Sequence, residues 1–385
     1  MKGLSFFFWL VIVLIVFFLL NYYIVRRGWQ ALAGTGGLRT KIVLVYAAWI
    51  VCFFVGRAIV RSRPGRFTEI LSIVGSFYMG ILIYLFFLLV FVDLLRLIDK
   101  IAPFFPAVIR QNGRQAGRAA FFAVTGITLA LTIGGFIHMR YFRLKTMDIV
   151  IDKRANGIET LNLVVLADIH VGPFLHNPRL EKIVQTINSL NPDLVLIPGD
   201  IVNEETLPSE LEKMTTSFRK IRSRYGVFAS TGNHEYFAGI EKSLAYLKKS
   251  GFTVLQDEAV LVNNSLTIVG RLNASYIGQT ERRKPLTEIL SGANLNLPVI
   301  LLDHQPVHLE EAQMAGVDLQ LSGHTHGGGI FPITIISNRL YEIGRGYGRK
   351  GKTQYYVTTG VGIWEPPARI GTTAEIVLMK VKFRP

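Results

Sequence analysis

The sequence predicts an α/β domain preceded by four membrane-spanning helices. Four long apolar segments, with no charged residue or histidine at their centres, lie within residues 1–145. Beyond them, short apolar runs typical of buried strands alternate with stretches whose apolar residues recur at helical spacing, the pattern of layered α/β domains. We therefore divide the chain into a transmembrane region, residues 1–145, and a second domain, residues 146–385.

The distribution of charge supports this division. The 385-residue chain has a net charge of +15, and residues 1–145 contain 17 Lys and Arg against 3 Asp and Glu. Residues 146–385 contain 25 and 24, so the excess positive charge flanks the apolar segments, as is typical at a membrane surface. A nucleic-acid-binding domain would itself be basic, so we expect no nucleic-acid partner. The single cysteine, Cys52, excludes an intrachain disulfide.

The four spans are expected at about residues 4–25, 42–60, 70–92 and 119–139, long enough for a bilayer core of ~30 Å. A cleaved signal peptide is the alternative for the first, but its apolar segment is too long and only Lys2 precedes it. The fourth span contains small residues at four-residue spacing, Gly126, Ala130 and Gly134. They either let another helix pack closely or have no specific partner. Without mid-span charges, we expect an anchor or lipid-facing bundle, not a transporter.

The basic residues determine the membrane orientation only weakly, because the loops on the two sides contain nearly equal numbers of Lys and Arg. An even number of spans puts both termini on one side. Arg26 and Arg27 follow the first span while only Lys2 precedes it, which favours an outer amino terminus. We therefore expect a multi-pass protein of the cell membrane whose second domain is extracytoplasmic.

The second domain begins with a connector, residues 140–159, that contains the turn signal Asn156-Gly157. Helices are predicted to start at Asn177-Pro178 and to occupy residues 208–221, 240–249 and 308–315. Residues 251–271 suit short strands that turn at Asn263-Asn264, and residues 355–358 and 374–382 suit strands at the end of the chain.

Five further apolar runs each end in polar residues. They are residues 163–167 before Asp168 and His170, 193–197 before Asp200, 227–230 before Asn233 and His234, 299–302 before His304, and 319–321 before His324 and His326. The carboxyl ends of strands are where α/β sheets place their sites, and carboxylates and imidazoles bind divalent cations. One such ending is as easily a helix cap or turn, but five predict a metal site. We expect an extended backbone at the last two histidines, sending both rings the same way.

These motifs resemble those of calcineurin-like metallophosphoesterases: Asp168-x-His170, Gly199-Asp200, Gly232-Asn233-His234-Glu235, His304 and Gly323-His324-x-His326. The resemblance covers roughly residues 158–385 and implies two packed mixed β-sheets flanked by helices. It implies two divalent ions, of Mn, Fe or Zn, with a hydroxide between them as nucleophile. One ion would be held by Asp168, His170, Asp200 and His326, and the other by Asp200, Asn233, His304 and His324. His234 would donate a hydrogen bond or proton near the leaving oxygen.

The sequence departs from many relatives in two places. Asn203 stands where relatives often have a further Asp, and Gly329 stands where many have Gln. Residues 362–371, together with residues 323–328, are similar to a bacterial branch of membrane-associated phosphodiesterases related to UDP-diacylglucosamine pyrophosphatases. There, Arg369 would either meet a phosphate or form a structural salt bridge.

The expected function is that of a membrane-bound phosphoesterase acting on a phosphodiester or pyrophosphate bond in a lipid or lipid-linked substrate. Residues 329–336 are either an apolar lip for acyl chains or a core strand, and Phe174-Leu175 is a second candidate lip. Glu235 would orient His234 or cap the next helix, and Asp303 would support His304. The alternatives are a protein phosphatase or nuclease of the same fold, or a membrane sensor that binds a phosphorylated ligand.

Overall fold

The computed structural model describes residues 2–63, 65–175, 177–273, 283–362 and 364–384. Ile363, within the segment 362–371 considered above, lies outside this set. The chain forms two compact units, one of Met1–Ser62 with Arg66–Phe136, and one that contains Ile137–Pro385.

The first unit is helical. Its elements are α1 (Lys2–Ala31), α2 (Leu38–Ser62), α3 (Arg66–Ile101), the short α4 (Ala107–Gln111) and α5 (Gly113–His138). All except α4 are long and apolar enough to cross a membrane, which confirms the four apolar helices predicted from sequence. Most extend beyond the apolar runs, because the charged residues that flank those runs continue the helical backbone.

Close helix packing occurs at small residues of α2 and α3. A Cβ on Gly75 would lie 2.7 Å from the Cα of Phe53, so only glycine allows this approach. By contrast, Gly126, Ala130 and Gly134 of α5 are exposed and contact no other helix closely. Within the described part of the chain, the small residues of the fourth span therefore have no specific partner.

The second unit contains twelve strands among the described residues. In chain order its elements are β1 (Phe142–Ile151), β2 (Thr160–Val165), α6 (Asn177–Ser189), β3 (Leu194–Pro198), α7 (Pro208–Phe218), β4 (Val227–Ser230), α8 (Asn233–Phe237), α9 (Ile240–Lys249), β5 (Thr253–Val254), β6 (Glu258–Val262), β7 (Leu266–Gly270), α10 (Leu286–Ile289), β8 (Val299–Leu302), α11 (Leu309–Met314), β9 (Leu319–Ser322), α12 (Ile333–Leu340), β10 (Gly346–Lys350), β11 (Thr353–Val357) and β12 (Ala374–Phe383).

These strands form two mixed six-stranded sheets. The first has the order β1-β12-β2-β3-β4-β5, and the second has the order β10-β11-β9-β8-β7-β6. The strands β2, β3, β4 and β5 are mutually parallel, as are β7, β8, β9 and β11. The parallel strands of each sheet therefore end at one edge, and the residues that follow them meet there.

Burial explains why the strands are apolar throughout. In β2, Leu163 and Val165 pack into the core between the two sheets, whereas Val164 packs on the opposite face with residues of α6 and α7. The second sheet is likewise covered on its outer face by α10 and α11. Strands covered on both faces are expected to be continuous apolar runs rather than alternating ones. This four-layer arrangement confirms the predicted fold class.

Two local predictions were wrong. Residues 142–151, assigned to a connector, form β1, which pairs in parallel with β12 along its whole length. Residues 329–336, for which a core strand was one reading, instead form a turn and the start of α12. Leu175 is fully buried, so it is core and not part of a lip, while Phe174 is half-buried.

Candidate metal centre

All eight residues predicted for the site lie together, at the carboxyl ends of β2, β3, β4, β8 and β9. Three groups of ligand-type atoms form there, and within each group the atoms lie within 4.8 Å of one another. The first is Asp168 with His170 and His326, and the second is Asp200 with His304 and His324. The third, His170 with Asp200 and His234, contains one member of each of the first two. Five strands that end at neighbouring edges thus bring together residues up to 158 positions apart in sequence.

The first group is organised around two facing imidazoles. The Nε2 atoms of His170 and His326 are 3.1 Å apart, and the Nε2 atom of His326 is 3.8 Å from Oδ1 of Asp168. Two nitrogens that bind one cation at ~2.1 Å lie roughly 3.0–3.4 Å apart for right-angled to tetrahedral geometry. The spacing of the two rings therefore suits a shared cation.

The second group contains Asn233 as well. Its amide oxygen is 2.9 Å from Nδ1 of His324 and 3.3 Å from Nε2 of His304. The same Nε2 atom of His304 is 3.0 Å from Oδ2 of Asp200. One amide oxygen, one carboxylate oxygen and two ring nitrogens thus converge on one point.

Asp200 lies between the two groups. Its Oδ2 atom is 3.0 Å from His304 and also 3.9 Å from Nε2 of His170 in the other group. Its Oδ1 atom accepts a hydrogen bond of 2.9 Å from the backbone N–H of His234. This bond fixes the carboxylate so that Oδ2 faces both groups.

Hydrogen bonds behind the site hold its loops and rings in place. Nδ1 of His304 donates to the carbonyl oxygen of Pro198 at 2.9 Å, which orients the ring so that Nε2 faces the site. The buried Glu235 accepts hydrogen bonds from the backbone N–H groups of Asp200, Ile201, Val202 and Gly232. Glu235 therefore ties the loop after β3 to the loop after β4, besides completing the first turn of α8.

The donor set fits divalent cations. Within the described residues, Oδ2 of the buried Asp168 has no hydrogen-bond partner, although a buried carboxylate oxygen without one is costly. Burial lowers the pKa of His170 to about 3, that of His324 to about 4, and that of His326 well below its usual value. These rings are therefore neutral near pH 7, the form that binds a metal.

The remaining charged groups are strongly coupled. Burial raises the pKa of Asp168 to about 7. Burial opposes charge on His304 too, but the adjacent Asp200 outweighs it and raises the pKa of His304 to about 10. Despite its own burial, the pKa of Asp200 is held well below the usual value by His304 and His234. Asp200 is thus ionised and available as a ligand.

The backbone at the site is left-handed where the sequence suggested an extended chain. His324 and His326 have φ values of 69° and 49°, and Asp168, His170 and Asp200 also have positive φ. The expectation of an extended His324–His326 segment was therefore wrong, and the two rings reach different groups through successive tight turns. Residues other than glycine adopt this conformation at a cost of ~1–3 kcal/mol each, and such strain clusters at functional sites.

Glycines allow the loops to approach one another. A Cβ on Gly323 would lie 2.5 Å from Oδ2 of Asp168, and a Cβ on Gly232 would collide with the carboxylate of Asp200. Gly232 and Gly323 are therefore each required by close contact with a carboxylate of the site.

His234 has a partner that sequence analysis missed. Its Nδ1 atom donates to the carboxylate of Glu204 at 2.8 Å. Burial opposes a charge on His234, but Asp200 and Glu204 raise its pKa overall. Glu204 lies in the loop after β3, directly after Asn203, and this acidic residue near Asp200 was the only sequence signal for the contact.

Two other expectations need correction. Asp303 does not support His304, because it is buried against Arg271, 3.6 Å away, and Arg283. Arg369 is buried and donates to the carbonyl oxygens of Gly360 and Gly362 at 3.2 and 3.1 Å. One of its nitrogens is 3.3 Å from Nδ1 of His326, so Arg369 holds the loop behind a site histidine and forms no carboxylate salt bridge among the described residues.

Comparisons with known proteins agree with this geometry. A model of the calcineurin-like phosphoesterase family matches residues 161–328. The chain is 30% identical to a Danio rerio protein described as a transmembrane protein with metallophosphoesterase domain, over 89% of this chain and 78% of that protein. It is 32% identical to an uncharacterized metallophosphoesterase of Aquifex aeolicus, over 66% of this chain and 98% of that protein. An uncharacterized metallophosphoesterase of Campylobacter jejuni is 33% identical over 62% of this chain. The matched part covers 63% of that relative's length.

Proposed function

This chain belongs to the calcineurin-like phosphoesterase family, and we propose that its metal centre hydrolyses a phosphodiester or pyrophosphate bond in a lipid or lipid-linked substrate. Family membership makes it a metal-dependent phosphoester hydrolase. Its four apolar helices and its likeness to a protein described as transmembrane indicate association with a membrane. The kind of bond, the lipid and the role of each residue belong to the proposal.

In the proposed centre, one divalent cation is held by Asp168, His170, Asp200 and His326, and a second by Asp200, Asn233, His304 and His324. The observation that carries this assignment is Oδ2 of Asp200, which is 3.0 Å from His304 and 3.9 Å from His170 in the other group. When bound, the two cations supply positive charge for the phosphoryl oxygens and lower the pKa of the attacking water.

His234 is the proposed proton donor to the leaving oxygen. It is 4% exposed, and its ring centroid lies 4.6 Å from that of His170, beside the centre. Glu204 accepts a hydrogen bond from Nδ1 of His234, which leaves Nε2 to face the substrate. The raised pKa of His234 favours the protonated ring that this role requires.

Exposed apolar side chains near the centre support a lipid substrate. Trp364 is 48% exposed and stacks on His326 at a centroid distance of 6.0 Å. Phe237, also exposed, meets the edge of His234 at 5.3 Å. Phe331, five residues after His326, is 52% exposed, and α12 then exposes Ile335, Ile336 and Leu340. Such grouped apolar surface is typical of binding sites, and acyl chains beside the scissile bond would cover it.

The similarity of residues 323–328 and 362–371 to UDP-diacylglucosamine pyrophosphatases suggests a lipid-linked pyrophosphate as the first substrate to test. Activity on a detergent-dispersed lipid pyrophosphate should far exceed that on its water-soluble headgroup analogue, compared as kcat/KM. Phe331→Ser should remove the preference and leave turnover of the small analogue intact. Leu261→Ser, an equally exposed position on β6, is the matched control and should keep the preference. Equal kcat/KM on both substrates would remove the case for a lipid.

A multi-pass arrangement with an extracytoplasmic catalytic domain is also part of this proposal. It rests on the even number of apolar helices and on Arg26 and Arg27 after the first of them. Protease added to intact spheroplasts should then cleave the carboxyl-terminal domain. Cleavage only after lysis would place the domain in the cytoplasm.

A further inference from the structure

The helical unit contains a basic cavity at one end. A cavity of about 170 Å³ lies where α1 and α3 end and α5 begins. Its charged lining residues are Arg27, Arg96, Arg114 and Asp93, a net charge of +2. Because these residues lie at the ends of membrane-length helices, the cavity is at the level of lipid headgroups.

The single carboxylate in this cavity is already neutralised. Oδ2 of Asp93 is 2.5 Å from a guanidinium nitrogen of Arg27 and accepts a hydrogen bond of 2.6 Å from Tyr23. Arg96 forms a longer ion pair with the same carboxylate, at 3.8 Å, and Arg114 forms no ion pair within the described residues. The one carboxylate balances one of the three positive charges, so a net charge of +2 is left at the cavity.

An apolar cavity adjoins the basic one. It has a volume of about 320 Å³, lies among α1, α2, α3 and α5, and has an entirely apolar accessible lining. Phe121 lines both cavities, and Gly28 of the apolar cavity follows Arg27 of the basic one directly. An apolar compartment thus borders the charged one at Phe121, and along α3 and α5 it lies farther from the helix ends.

The dimensions match one lipid molecule. Along α5 the two cavities extend from Arg114 to Leu129, which is ~22 Å at 1.5 Å per residue. One leaflet contributes half of a hydrocarbon core of ~30 Å, and the remaining length corresponds to a headgroup. A molecule with an anionic head and an acyl chain fills both compartments at once.

We propose that the helical unit binds one anionic phospholipid, its phosphate between Arg96 and Arg114 and an acyl chain in the apolar cavity. The charge of the site selects the headgroup, because the net +2 of the cavity attracts an anionic headgroup, whereas it repels the cationic group of a zwitterionic lipid. This site is separate from the metal centre and does not depend on the proposed function.

The test uses the purified full-length chain in detergent, with lipids retained on it counted by native mass spectrometry. The wild-type chain should retain one phosphatidylglycerol at concentrations where phosphatidylcholine is not retained. Arg114→Gln should weaken retention on the order of tenfold, as expected for the loss of one charged contact. Leu129→Trp, which fills the apolar cavity, should also reduce it.

Two controls separate this site from general membrane affinity. Lys41→Gln removes the same charge from an exposed position at the start of α2 that lines neither cavity, and should retain phosphatidylglycerol fully. Soluble glycerophosphate should not compete, because it lacks the acyl chain. Turnover of a chromogenic phosphodiester by Arg114→Gln verifies folding of the other unit. Equal retention of both lipids by the wild type, or equal losses in Arg114→Gln and Lys41→Gln, would overturn the proposal.

Discussion

The carboxylates Asp93 and Asp168, one in each unit of this protein, have opposite surroundings. In the helical unit, Asp93 is matched by Arg27 and by the hydroxyl of Tyr23, so its charge is neutralised by the chain itself. In the phosphoesterase unit, Asp168 is fully buried with one oxygen lacking a partner among the described residues, beside neutral imidazoles. A carboxylate whose oxygens are fully partnered is structural, whereas one with an unpartnered oxygen beside neutral rings indicates a cation-binding site.

Replacing one aspartate by asparagine in each unit should give the largest difference between the two units. Asp200→Asn weakens the charge shared by the two ligand groups, so metal and turnover should be lost together. We expect a loss of turnover on the order of 10³-fold or more, beyond the ~10–100-fold typical for a residue behind a ligand. Asp93→Asn should keep both metal and turnover of a soluble phosphodiester. Comparable losses in the two variants, measured by elemental analysis and steady-state kinetics, would refute the distinction.

His234→Ala should separate chemistry from metal binding inside the phosphoesterase unit. Turnover should fall by ~10²–10⁴-fold, the usual contribution of a proton donor, while the metal content stays unchanged. The loss should be smaller for substrates with good leaving groups, which need less proton assistance. Glu204→Gln should reproduce part of the loss, because Glu204 holds Nδ1 of His234. An emptied metal site in His234→Ala would show that this histidine is a ligand.

A smaller effect should appear in the pH dependence of metal binding. Asp168, with its pKa raised to about 7, and His304, with its pKa raised to about 10, carry protons in the metal-free protein at and below neutral pH. A cation must displace these protons, so affinity should rise with pH. The rise should be about tenfold per pH unit between pH 7 and pH 10, where one proton is released, and steeper below pH 7. Calorimetry with manganese in two buffers of different ionisation enthalpy measures the protons released, and an affinity independent of pH would contradict the assignment.

The positions of the five strands that carry the candidate ligands were predictable because each of them is an apolar run that ends in polar residues. Covered sheets require such runs, and parallel strands bring their ends together, so residues as distant as Asp168 and His326 were expected in one place. The helices that begin at Asn177 and Pro208 were likewise marked by residues that favour helix starts.

Other features depend on contacts that no local pattern encodes. The backbone is left-handed at His324 and His326, where glycines let neighbouring loops pack closely against this segment. Glu204 contacts His234 only when the loops after β3 and β4 are packed together. The strand β1 carries mixed charges because one side of it is exposed, which concealed it. The β-branched residues at the start of α12 favour a strand by propensity alone, and tertiary packing overrides that preference.

The central claim, that seven residues hold two cations and that Asp200 belongs to both sets, is tested most directly by the metal content of the active protein. Purified full-length chain, reconstituted with manganese and freed of excess metal, should contain close to two equivalents by elemental analysis, and turnover of a chromogenic phosphodiester should follow occupancy of both sites. One equivalent or less in a preparation with full activity would contradict the account.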